Sequence, residues 1–248
     1  MGTPANKLLS KFKPTAKYRS PTEKAKIVHY SDRYKVMYYS IPKVACTTIK
    51  TCLAKLENID IKGLGVHTKN NAMKRLTMKE SNIEQYKDYY RFSFVRDPWD
   101  RLFSCYKNKI YDPPRFFSKS NSYYNEKGEF KDFIKRYGDL NFKDMQFEDF
   151  VDFVVQVPDH LCDPHFLPQH YYLEMERINF LGQFENFQSD MFKVLKRISV
   201  DLDLSDIISE KKQSSSPGSY KDAYKDRTRA LVAEKYAKDI ELFNYTWD

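Results

Sequence analysis

Two stretches of this chain carry side chains whose types and spacing suit the capture of an anion. In the first, Pro42-Lys43-Val44-Ala45-Cys46-Thr47-Thr48, a lysine and two adjacent hydroxyls follow an apolar run, Tyr38-Tyr39-Ser40-Ile41. After them, Ile49, Cys52, Leu53 and Leu56 stand at i, i+3, i+4 and i+7, one apolar helical face. The order reads as strand, turn and helix, with Pro42 opening the turn. The first amides of a helix have no carbonyl one turn back, and the helix dipole favours negative charge at that end. Loop amides around Ala45 and Cys46, the hydroxyls of Thr47 and Thr48 and the ammonium of Lys43 together make a cradle for a phosphate-like group. The stretch has no glycine and lacks the Gly-x-x-x-x-Gly-Lys-Ser/Thr pattern of ATP-binding loops.

The second stretch is Arg96-Asp97-Pro98-Trp99-Asp100-Arg101-Leu102-Phe103-Ser104-Cys105-Tyr106, directly after the aromatic and β-branched run Tyr90-Arg91-Phe92-Ser93-Phe94-Val95. Asp97 suits a helix N-cap, Pro98 the first helical position and Asp100 the first turn. Arg96 therefore leaves a strand, and Ser104 stands two turns into a helix. A guanidinium fork with a hydroxyl suits a phosphate dianion.

Histidine is the side chain best suited to move a proton near neutral pH. His67 follows Gly63-Leu64-Gly65-Val66, and His160, His165 and His170 punctuate a loop containing Pro164 and Pro168. The three loop histidines lack cysteine or carboxylate partners at a recognised metal-ligand spacing, so no metal is expected. A late loop, Lys211-Lys212-Gln213-Ser214-Ser215-Ser216-Pro217-Gly218-Ser219-Tyr220, is basic and rich in hydroxyls. Its composition alone reads as a linker.

Positioning these groups requires strand and helix in alternation. Strands are expected at 27–30 and 34–41 about a Ser31-Asp32-Arg33 turn, at 90–95 and at 178–182. Helices are expected from the first anion loop to about Leu56, weakly over 72–86, and from Pro98 with Trp99, Leu102, Phe103, Tyr106 and Ile110 inward. Others are marked by Phe147, Phe150, Val151 and Val154, by Met191, Phe192, Leu195 and Ile198 over 187–198, and by Val232, Tyr236, Ile240 and Phe243 over 228–243. The pattern predicts an α/β fold with a central, mostly parallel sheet flanked by helices on both faces. Both anion-holding junctions would lie at the carboxyl ends of its strands. Residues 1–26 read as a flexible basic arm, residues 27–248 as one domain, and residues 111–137 as a long surface excursion.

Composition narrows the function classes. At 248 residues with 7 glycines, 19 tyrosines and 18 phenylalanines, the chain is too aromatic and too poor in glycine for a disordered segment. A formal charge of +8 favours anionic ligands. The basic residues are spread rather than striped with aromatics, so a nucleic-acid partner is not expected. No apolar run approaches a membrane span, and four scattered cysteines do not make a disulfide framework. A cytoplasmic protein is the simplest expectation; a Golgi enzyme trimmed to its lumenal domain would look the same.

The first stretch resembles the 5′-phosphosulfate loop of sulfotransferases, Pro-Lys-x-x-x-Thr-Thr/Ser. Its form Pro-Lys-Val-Ala-Cys-Thr-Thr is similar to that of Golgi-type carbohydrate sulfotransferases acting on chondroitin and dermatan. The second resembles the family's 3′-phosphate motif, Arg-Asp-Pro-x-x-Arg-x-x-Ser-x-Tyr, matching at Arg96, Asp97, Pro98, Arg101, Ser104 and Tyr106. His165, the Pro-rich turn after it, the Gly182-Gln183-Phe184-Glu185 segment and the ending 237–245 follow in the family's order.

The resemblance implies a P-loop-like fold and 3′-phosphoadenosine 5′-phosphosulfate as sulfuryl donor, without a metal. The acceptor implied is a hydroxyl, on a carbohydrate first and on a small natural product or lipid as the alternative; a P-loop-like phosphotransferase is the more distant reading. Lys43 would stabilise charge on the leaving oxygen. Pro42, Ala45, Cys46, Thr47 and Thr48 would hold the 5′ side, Arg96 and Ser104 the 3′-phosphate, and Lys212 and Tyr220 would close over the nucleotide. His165 is the first candidate base, then His67, with Glu185 behind them.

Overall fold

The computed structural model describes residues 27–59, 74–77, 84–111, 145–198 and 220–247. In chain order these form β1 (Ile27–Ser31), β2 (Val36–Tyr39), α1 (Cys46–Leu56), β3 (Arg75–Thr77), β4 (Tyr90–Val95) and α2 (Pro98–Tyr106). They continue as α3 (Phe147–Gln156), β5 (Phe180–Gln183), α4 (Phe187–Arg197), α5 (Asp226–Lys235) and α6 (Ala237–Phe243). Short 3₁₀ turns join several of these. The described residues divide into two compact units. A sheet unit lies within Lys24–Asp97 and Gln169–Ser216, and a helical unit within Pro98–Pro168 and Pro217–Asp248.

The sheet has the order β3-β1-β2-β4-β5. β2 pairs parallel with β4, and β4 parallel with β5; β1 is antiparallel to both β2 and β3. Four of the five strands therefore run the same way, and the sheet, flanked by helices, is the mostly parallel α/β arrangement expected. Val36, Met37, Tyr38 and Tyr39 of β2 are all buried, as are Phe92, Ser93, Phe94 and Val95 of β4. Successive strand residues face opposite ways, so a wholly buried run means that both faces are covered. On α1 the expected face, Ile49, Cys52, Leu53 and Leu56, is buried throughout. On α4 the buried set is Met191, Val194 and Leu195, whereas Phe192, expected inward, is 41% exposed. Its helical position lies off the stripe that Val194 completes.

Among the described residues of the segment 72–86 the expected helix does not form. Arg75–Thr77 is instead an edge strand paired to β1, with Ile27 opposite Thr77 and His29 opposite Arg75, and Glu84–Tyr86 is a single 3₁₀ turn. The Tyr30 N–H donates to the Lys74 carbonyl at 3.0 Å, extending the ladder. The segment has too weak an apolar period to hold a helix, and the outer edge of β1 offers backbone groups that a strand satisfies.

In the helical unit, α5 packs against both α2 and α3. Trp99, Leu102, Tyr106 and Ile110 are buried as expected, with Phe147, Phe150, Val151 and Val154 from α3. Phe103 is half-buried, its ring edge-on to that of Phe147 with centroids 5.2 Å apart. The single terminal helix expected is two, broken at Tyr236, whose φ of −110° and ψ of 22° leave the helical range. Tyr236 is buried at this break, and its hydroxyl donates to the Phe166 carbonyl at 2.6 Å. Among the described residues no helix is long and apolar enough to cross a membrane. The basic arm expected over 1–26 and the excursion over 111–137 lie outside the described residues, apart from Tyr111.

Candidate active site

β2 and β4 are neighbours, with Val36 opposite Tyr90 and Tyr38 opposite Phe92, so their carboxyl ends lie side by side. The Ser93 hydroxyl donates to the Tyr39 carbonyl at 2.7 Å and ties the two ends together. Beyond β2 the chain turns through two left-handed residues, Lys43 (φ 69°) and Ala45 (φ 48°), before α1 begins. Ala45 caps the helix, and its carbonyl accepts the Ile49 N–H at 3.0 Å. A side-chain-bearing residue in this conformation costs roughly 1–2 kcal/mol, and such outliers collect at ligand sites. Left-handed turns of this kind bring backbone amides to one concave side, the geometry of anion-binding nests. ATP-binding loops use glycine for such conformations; here lysine and alanine adopt them. Pro42, Lys43, Ala45, Cys46 and Thr47 are half-buried. Thr48 is buried, and its hydroxyl has no hydrogen-bond partner among the described residues. An orphaned hydroxyl in the first turn of a helix, beside a left-handed loop, fits an anionic ligand.

Arg96 stands just past β4 and is 4% exposed. Its Nη1 donates to the Lys43 carbonyl at 3.1 Å, joining the two motif loops. Its position is held from three sides. The Gln169 side-chain amide accepts the Arg96 N–H at 3.0 Å and donates to the Arg96 carbonyl at 2.8 Å, as a neighbouring strand would. The Phe184 ring lies 4.0 Å from the guanidinium carbon, a close cation–π stack. The Glu185 carboxylate accepts the next amide, Asp97 N–H, at 2.8 Å. Phe184 and Glu185 reach these places because β5 pairs in register with β4, Gly182 opposite Phe94. A Cβ on Gly182 would sit 2.4 Å from the Phe94 ring, so only glycine allows this approach. The Gly-x-Phe-Glu segment is thus a brace for Arg96, with one oxygen of Glu185 serving a backbone amide.

In the helical unit, Ser104 is half-buried on α2. Arg101, the other arginine of that motif, is 2% exposed and structural: it donates to the Leu167 carbonyl at 2.9 Å and the Pro164 carbonyl at 3.4 Å. These carbonyls, with the one held by Tyr236, belong to the turn that carries His165. There Asp163 Oδ1 accepts both the His165 backbone N–H, at 2.9 Å, and Nδ1–H, at 2.6 Å. The Asp163 side chain is 2% exposed and that of His165 27%. A carboxylate can only accept, so Nδ1 carries the proton and Nε2 is the basic nitrogen of the neutral ring. Tyr220 is half-buried with its ring edge-on to Trp247 at 5.9 Å.

The structure therefore brings together Lys43, Thr48 and Arg96 within the sheet unit, while Ser104, His165 and Tyr220 belong to the helical unit. His67 and Lys212 lie outside the described residues. Gln169, Phe184 and Asp163 were not singled out from sequence; the only available signs were an aspartate two residues before His165 and the family-like segment around Phe184. Among the described residues no group of three or more histidine, cysteine or carboxylate side chains could hold a metal ion.

The family model described as the sulfotransferase family matches residues 28–246. Carbohydrate sulfotransferase 14 of Mus musculus is 27% identical over 183 residues, covering 67% of this chain and 45% of that protein. The Danio rerio protein of the same name is 26% identical over 72% of this chain and 51% of its own length. Carbohydrate sulfotransferase 10 of Xenopus laevis is 25% identical over 70% of this chain and 53% of its own. The chain spans about half the length of these relatives. No solved structure matches it significantly. A match over nearly the whole chain, carrying both strand-end anion motifs, means that the protein belongs to the sulfotransferase family.

Proposed function

We propose that the protein transfers a sulfuryl group from 3′-phosphoadenosine 5′-phosphosulfate to a hydroxyl on a carbohydrate. The observation that carries this reading is the contact between Arg96 and the Lys43 carbonyl, which joins the two anion loops at the ends of adjacent parallel strands. Family membership and relatives named as carbohydrate sulfotransferases support the reaction and the acceptor class. The resemblance to Golgi-type enzymes favours a lumenal over a cytoplasmic setting.

The roles follow from the chemistry of each group. The loop amides around Ala45 and Cys46, with Thr47 and Thr48, hold the 5′ side of the donor. Lys43 neutralises the charge that grows on the bridging oxygen as the sulfur–oxygen bond breaks. Arg96, with Ser104, recognises the 3′-phosphate. Lys212 and Tyr220 cover the nucleotide. His165 Nε2 takes the acceptor hydroxyl's proton as the new oxygen–sulfur bond forms, and Asp163 holds the ring in the tautomer this needs. His67 is the second candidate for that step.

Calorimetric titration with 3′-phosphoadenosine 5′-phosphate, AMP and ATP tests the reading. Tight binding of the bisphosphate with little binding of the other two is expected. No preference for the 3′-phosphate would overturn the donor assignment, and tight ATP binding would move the protein towards phosphoryl transfer.

A further inference from the structure

At the amino-terminal ends of β2, β4 and β5 the sheet unit has a second anion-suited feature, facing away from Lys43 and Arg96. A cavity of about 260 Å³ is walled there by Tyr34, Lys35, Tyr89, Tyr90, Asn179 and Arg197. β4, six residues long, separates this end of the sheet from Arg96, a span of ~20 Å at ~3.3 Å per residue.

The walls alternate tyrosine rings with cations laid over them. Lys35 Nζ lies 5.0 Å from the centroid of the Tyr89 ring, and the Arg197 guanidinium 5.3 Å from that of Tyr90. The backbone holds this arrangement: Tyr90 N–H donates to the Lys35 carbonyl at 2.7 Å, and the Tyr89 hydroxyl donates to Asp32. Asn179 Oδ1 accepts the Arg91 N–H at 2.8 Å, so the amide nitrogen is the end that Asn179 offers a ligand. Among the described residues neither Lys35 nor Arg197 forms an ion pair, whereas Lys87, also on the wall, pairs with Glu84 at 2.9 Å. Asp88 is the only carboxylate among the lining residues, against three cations.

The ring faces are taken by the cations laid over them, so what the cavity offers a ligand is positive charge and the Asn179 amide, which suit the carboxylate or sulfate of an acidic sugar unit. The cavity is smaller than the ~300–1,000 Å³ of drug-sized pockets, which fits one sugar unit rather than a chain. We propose that this cavity is an accessory site for a carboxylate- or sulfate-bearing sugar unit of a long acidic acceptor, gripping the chain about 20 Å from the reacting end. The inference rests on the carbohydrate reading for its ligand class, but it concerns different residues.

The test uses the full chain, a chondroitin sulfate hexasaccharide, its desulfated counterpart and the neutral cellohexaose, measured by calorimetry. The variant is Arg197→Glu with Lys35→Asn; asparagine is chosen because Lys35 has φ 48°, which asparagine tolerates. The acidic hexasaccharide should bind wild type and bind the variant roughly tenfold more weakly, the scale of losing contacts to charged groups. Affinity for the bisphosphate should not change. Binding retained by the desulfated chain assigns the carboxylate; binding lost with the sulfates assigns the sulfate. Equal affinity of wild type and variant overturns the proposal, as does cellohexaose binding as tightly as the acidic chain. A single-stranded RNA oligonucleotide bound as tightly, and weakened equally in the variant, overturns it in favour of a general polyanion surface. If the hexasaccharide result holds while the bisphosphate does not bind, the donor reading fails and this site stands; the reverse pattern removes this site alone.

Discussion

At the scale of single residues, the site separates binding from chemistry. Lys43 is assigned to charge on the leaving oxygen, and the loop backbone to ground-state binding. Lys43→Ala should therefore lower kcat by roughly 10²–10³-fold while leaving bisphosphate affinity within a few-fold, as read by initial rates and calorimetry. Near-normal turnover would remove Lys43 from the mechanism. The Asp163–His165 pair makes a second, independent claim. Asp163→Asn keeps an acceptor for Nδ1–H but removes the charge that stabilises the imidazolium. Turnover should fall by about tenfold or more, and the acid limb of the pH–rate profile should move to lower pH. A fall in rate with an unmoved profile would mark Asp163 as a packing residue only.

At the scale of elements, the motif segment divides into contact and support. Arg101 matches the family pattern as well as Arg96 does, yet it is a buried strut for the turn around His165. Arg101→Met should destabilise the fold by about 2–4 kcal/mol in urea unfolding, because two carbonyls lose a charged donor. Both strand-to-helix junctions were legible in the sequence because each combines an apolar strand, a turn residue of fixed conformation and a helical apolar stripe. The brace around Arg96 was not legible. Gln169 and Phe184 come from 73 and 88 residues further along; the pairing of β5 on β4 brings Phe184 back, and Gln169 is held by its own two bonds to the Arg96 backbone. The edge strand Arg75–Thr77 escaped for the same reason: it is decided by a partner distant in sequence, β1.

At the scale of the whole molecule, burial of ionisable side chains predicts how stability varies with pH. Burial pushes the Cys52 thiol up to about 12 and the Tyr39 hydroxyl up to about 12. Both groups are neutral in the folded state at pH 7, and unfolding frees them to ionise at their ordinary values, about 8.5 and 10. Their contribution is therefore complete below those values and is lost as pH rises towards 12. Melting temperature should fall across that alkaline range, and Cys52→Ala should flatten the fall while lowering stability at pH 7; an unchanged slope would remove Cys52 from the account. Gln169 has a consequence of another kind. Its side chain accepts from and donates to the backbone of Arg96 as a peptide group would, giving β4 one more rung than its main-chain partners supply. The Arg96 amide, though past the last strand residue, should exchange with deuterium as slowly as the amides of the central sheet. In Gln169→Ala it should exchange like a loop amide.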